Sequence, residues 1–113
     1  MKLVKSSQTQ EFKNSDTCIA TEYSFDDEAI NIAVVKLAGR YPDIGRAMNE
    51  KCKEVAYVIE GSGKIFIDDK ETSLEKGDSV LIEPTEKFYW EGNFTLFIPC
   101  VPAWSQEQHK QVD

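Results

Sequence analysis

The chain has a single histidine, His109, and three cysteines, Cys18, Cys52 and Cys100, in 113 residues. An odd number of cysteines with no Cys-x-x-Cys spacing builds no disulfide framework and suits a reducing compartment. Cys52 lies between Lys51 and Lys53, where a thiolate would be favoured, but no histidine stands near it to act as its base. It reads better as a buried structural thiol, a small hydrophobe. Positive charge is also scarce, 13 Lys and Arg against 20 Asp and Glu for a net −7. That balance excludes the basic surface that nucleic acid or an anionic membrane requires. No apolar run reaches membrane-spanning length, and Met1-Lys-Leu-Val-Lys-Ser6 lacks the apolar core of a signal peptide, so the expected location is the cytoplasm. Repeats, low-complexity tracts and linkers are missing, which predicts one domain over residues 1–113.

What is present is strand. Between Glu54 and Trp90 four stretches, Glu54–Gly61, Lys64–Asp68, Gly77–Pro84 and Lys87–Trp90, each hold an apolar run of three to five residues and alternate with turn chemistry. The expected turns are Gly61-Ser-Gly63, Asp68-Asp-Lys70, Gly77-Asp78 and Pro84-Thr-Glu86. Runs this short and this punctuated specify an antiparallel all-β sandwich or barrel. Upstream, Thr17–Tyr23 and Ile30–Leu37 form a second hairpin around the acidic turn Asp26-Asp-Glu28. Gly39–Gly45 reads as a loop, Phe94–Trp104 as a last strand stopped by Pro99 and Pro102, and Ser105–Asp113 as at most one polar turn.

At Glu54 and Gly61, with six residues between them, and at Gly77-Asp78 followed by Pro84, the chain resembles the cupin superfamily. The resemblance covers about Ala47 to Asn93. It implies a jelly-roll, double-stranded β-helix barrel, commonly a homodimer, with a pocket inside. Its metal site departs from the family's. The His-x-His pair falls on Met48 and Glu50 in one register, or on Ala47 and Asn49 in the other, and the third histidine falls on Phe88. Glu54 alone, or with Glu50, is a poor ligand set for a transition metal, which favours imidazole. No metal and no other cofactor is therefore expected.

Alternation puts Ala56 and Val58 on the face of Glu54, and Val55, Tyr57 and Ile59 on the opposite one. An apolar outward row needs a cover, from the N-terminal strand or from a second subunit. Phe88 and Trp90 share the inward face. The candidate ligand-binding residues are Asn49, Glu50, Glu54, Phe88 and Trp90. Arg40 and Arg46 are candidate anion clamps, the plainer reading placing both on the solvent side of their loop. Two functions follow: a metal-free module binding a small polar or sugar-like ligand, or a metal-independent isomerase, epimerase or lyase with Glu54 as general acid or base. The plain alternative to the ligand reading is that Phe88 and Trp90 simply fill the barrel as core, and a third reading implied by the resemblance, a metal-dependent dioxygenase, is contradicted by the missing histidines.

Overall fold

The computed structural model describes residues Met1–Asp113. Nine strands follow in order: β1 Gln10–Ser15, β2 Cys18–Tyr23, β3 Asn31–Tyr41, β4 Arg46–Asn49, β5 Lys53–Ile67, β6 Lys70–Glu75, β7 Ser79–Ile82, β8 Phe88–Val101 and β9 His109–Val112. All belong to one curled antiparallel sheet, a half-barrel of the jelly-roll type. The 14-residue β8 is its spine, pairing with β3 along one edge and β5 along the other. No helix is long and apolar enough to cross a membrane.

The expected hairpin of β2 and β3 forms, with Cys18 opposite Leu37 and Tyr23 opposite Ile32. Four boundaries differ from the sequence reading. The Gly61-Ser-Gly63 turn does not exist, because β5 runs straight through it for 15 residues. These glycines serve close packing: Gly63 and Gly39 both face Gly92 of β8, and a Cβ on Gly92 would lie 2.5 Å from the Gly63 Cα. Second, β3 continues through Gly39 and Arg40 to Tyr41, so the loop starts only at Pro42. Third, Pro99 sits inside β8 rather than ending it. The β5–β8 pairing passes from Glu54–Cys100 directly to Tyr57–Phe97, and the proline falls in that gap. Fourth, the polar turn at the C-terminus shrinks to Gln106–Gln108, and β9 follows it to pair with β4.

Side chains sort by strand alternation. Ala56, Val58, Ile65, Leu74, Ile82 and Leu96 are buried inside the curl. Phe88, Trp90 and Phe94 fill one half of it edge to face, with centroids 6.2 and 5.7 Å apart. This geometry suits the ring quadrupoles. On the outer face Val55, Tyr57 and Ile59 stay about two-fifths exposed, beside exposed Leu81 and Val101. The N-terminal strands extend the sheet by pairing edge to edge with β3 and do not cover this row.

Candidate functional site

The aromatic fill stops at Trp90, and beyond it lies a chamber of about 60 Å³, room for a few water molecules. Phe88, Trp90, Glu54, Glu22, Tyr41, Cys100, Trp104 and His109 are among its walls. A wider vestibule of about 580 Å³ adjoins it, and Asn14, Glu22, Tyr41, Trp104 and His109 line both. The two spaces therefore form one funnel, polar at the mouth and aromatic at the bottom.

Glu54 sits at the inner end of that funnel, where β5 pairs with β8 beside Cys100. Asn49 Nδ2 donates to its Oε1 at 2.7 Å, and Cys100 Sγ donates to its Oε2 at 3.2 Å. Burial pushes the Glu54 carboxyl up, and the two donors pull it back toward the ionised form. Asn49, buried at the end of β4, accepts on Oδ1 from Trp104 Nε1 at 3.2 Å and meets His109 Nδ1 at 2.8 Å. His109 Nε2 lies 3.1 Å from the Tyr41 hydroxyl. Burial lowers the His109 pKa and so favours the neutral ring. Burial, helped by nearby negative groups, raises Tyr41 to about 12. One hydrogen-bonded row thus joins Glu54, Asn49, His109 and Tyr41.

Glu22, on β2, approaches from the other side. Asn31 Nδ2 donates to its Oε2 at 3.2 Å, while the Asn31 Oδ1 takes the Trp104 backbone N–H at 2.8 Å. Burial, reinforced by the charge of Glu54, lifts the Glu22 carboxyl to about 7. Nothing with a positive charge lines the chamber itself.

Of the sequence candidates, Glu54, Phe88 and Trp90 line the chamber, and Asn49 is buried behind Glu54, hydrogen-bonded to it but lining neither space. Glu50 does not: it is exposed and faces Lys110 Nζ at 3.8 Å, because alternation turns Asn49 inward and Glu50 out. Neither arginine is found at the funnel. The Arg40 guanidinium donates to the carbonyls of Pro42, Asp43 and Gly45 at 2.7–3.0 Å and stacks 4.1 Å over Tyr89, so it braces the loop. His109, which the sequence reading left in a polar turn at the C-terminus, lines both chamber and vestibule. Its backbone is delivered by Gln108, whose buried Oε1 accepts the N–H groups of Lys51 and Cys52 at 3.0 and 2.8 Å. Sequence reasoning also missed Tyr41, placed in a loop, and Glu22, although Glu22 alternates with the small residues Cys18 and Ala20 on one face. Trp104, at the end of the expected last strand, lines the chamber.

The metal set that the resemblance implies does not fit these residues. Ala47, Asn49 and Phe88 take the inward places of its three imidazoles, and both ring nitrogens of His109 are already engaged. Cys52, Glu54 and Cys100 bring three ligand atoms within 4.8 Å. The Cys100 thiol is pushed far up, first by its hydrogen bond with Cys52 and then by burial, and so stays protonated as a donor to Glu54.

The family model described as "Cupin domain" matches residues 33–96. Among solved structures, the chain is similar to the Streptomyces protein Pac13, a nucleoside dehydratase, with a TM-score of 0.87 and 15% identity, covering 99% of this chain and 91% of that one. A uridine-bound structure of that protein gives a TM-score of 0.85 at 16% identity over 96% of this chain and 88% of the other. An ectoine synthase from P. lautus gives 0.75 at 16%, covering 100% and 91%. At these identities the likeness is one of fold. No curated protein sequence matches the chain.

Proposed function

Because this chain belongs to the cupin family, we propose that it binds a small polar, sugar-like molecule inside the barrel, its apolar side against Trp90 and its polar groups toward Glu22 and the Asn49–His109 row. The observation that carries this reading is the funnel itself. An aromatic floor with a few convergent polar groups is the usual make-up of a small-molecule site, and the vestibule of about 580 Å³ has the size for one. Similar folds that act on or hold a nucleoside lend support.

Catalysis is the second reading, favoured by Glu22. A carboxyl lifted to about 7 is poised to give or take a proton at neutral pH. Both oxygens of Glu54 are engaged, whereas Glu22 has one oxygen without a protein donor and lines chamber and vestibule alike. Glu22 is thus a better proton carrier than Glu54, and the reaction class is a lyase, isomerase or epimerase.

Thermal shift and tryptophan fluorescence against uridine, free sugars, sugar phosphates and keto acids test the binding reading. A ligand is expected whose affinity falls about tenfold or more, 1.4 kcal/mol, in Glu54→Gln or Trp90→Ala. A ligand that binds both variants unchanged sits elsewhere. Turnover that survives Glu22→Gln would remove that residue from the chemistry.

The outer row Val55, Tyr57, Ile59 and Leu81 is the face of a homodimer in this reading, since closed two-fold pairing is the commonest cover for such a patch. Three unpaired thiols fit a cytoplasmic protein.

A further inference from the structure

The donor and acceptor roles along the row can be fixed one atom at a time. The Trp104 indole N–H can only donate, so the Asn49 atom facing it is the oxygen. In its ionised form Glu54 can only accept, so the Asn49 atom facing it is then the nitrogen. These two anchors agree, and together they lock the amide. His109 Nδ1 then meets an acceptor and must carry its proton. In the neutral ring, Nε2 is left with a bare lone pair, and the Tyr41 hydroxyl at 3.1 Å donates to it. The result is a phenol hydrogen-bonded to a basic nitrogen, both at the junction of chamber and vestibule.

We propose that Tyr41 and His109 form a proton-transfer dyad, with His109 Nε2 as its basic atom and Glu54, acting through Asn49, as the positioning residue. This inference rests on reading the funnel as a ligand site. It assigns the role of base to the dyad and leaves Glu22 as the acid on the opposite wall. The ligand it serves bears a hydroxyl, or a C–H beside a carbonyl. The X–H bond of the ligand breaks, its proton goes to the Tyr41 oxygen, and the electron pair stays on the ligand. In the same step the phenolic proton passes to His109 Nε2. The imidazolium that forms keeps its Nδ1–H on Asn49 Oδ1, and the Glu54 carboxylate one link further on offsets its charge. Other titratable groups facing the dyad are Glu22, Cys18 and Cys100 in the chamber, and Lys13 and Asp27 in the vestibule.

Because the chain has one histidine, a tag-free, nitrogen-15-labelled sample gives one imidazole spectrum. The expected spectrum near neutral pH shows a protonated Nδ1 and a bare Nε2. In Tyr41→Phe the tautomer is kept but the Nε2 signal moves, having lost its donor. A proton on Nε2, or an imidazolium at neutral pH, would overturn the proposal. Diethyl pyrocarbonate, which acylates bare imidazole nitrogens, should modify His109 severalfold faster in Tyr41→Phe than in the wild type. Equal rates would contradict the hydrogen bond. Asn49→Ala should let the other tautomer appear, and an unchanged tautomer there would remove the positioning role. Wild type and Tyr41→Phe decide the dyad even if Asn49→Ala does not fold. None of these readouts needs a ligand, so an empty ligand screen would strike the funnel reading without touching this result.

Discussion

Glu22 gives the protein a pH signature of its own. Its folded pKa of about 7 stands above the ordinary carboxyl value of 4.5, so the folded state holds the proton more tightly than the unfolded chain. The stability it contributes is intact below about pH 4.5 and is lost as pH rises through 7. Glu22→Gln keeps an acceptor for Asn31 and removes that loss. The variant should match the wild type near pH 4.5 and exceed it above pH 7 by on the order of 1 kcal/mol, since the carboxyl is partly solvent-screened. Thermal melts of both proteins across this range check it, and parallel curves would show that Glu22 is not perturbed. A second prediction concerns Asn49. Replacing it with alanine takes the best donor from Glu54, leaves a buried acceptor short, and should cost about 2–3 kcal/mol in denaturant unfolding. A loss below about 0.5 kcal/mol would mean the row carries no strain-free hold on Glu54.

Period-two alternation made much of the element scale legible. It placed Glu54, Ala56 and Val58 inside and Val55, Tyr57 and Ile59 outside, and it turned Phe88 and Trp90 inward. What it could not show is which strands lie opposite one another. Gly61 and Gly63 look like a hairpin turn in sequence, and only the register of β8 shows that Gly63 is there to let Gly92 approach. Gly92 has a φ of 151°, in the region side chains rarely adopt. Gly92→Ala should therefore cost about 3 kcal/mol or more, through overpacking against Gly63 and Ser62 together with backbone strain. A variant with a melting temperature within a degree of the wild type would contradict the close approach. The short polar β9 was illegible for a related reason. His109–Val112 has little β propensity by itself, and its pairing with β4 and the clamp from Gln108 supply what the local sequence lacks. Missing β9 meant missing His109, and with it half of the site.

On the scale of the whole molecule, the sheet has one face turned in on the funnel and one apolar face turned out. The outward row should close a two-fold dimer, so light scattering is expected to return twice the chain mass of 12.8 kDa at micromolar concentration. Tyr57→Glu, a charge in the middle of that row, should yield monomers. A monomeric wild type would leave the face without the proposed occupant. The inward face supplies the most direct test, because the chain has two tryptophans and both line the funnel. Their two indole N–H signals, followed by NMR while uridine or another ligand from the screen is added, report on the chamber alone. Both are expected to move together and saturate at one ligand per chain. A ligand that saturates the protein while both indole signals stay still would contradict the assignment of the funnel as the binding site.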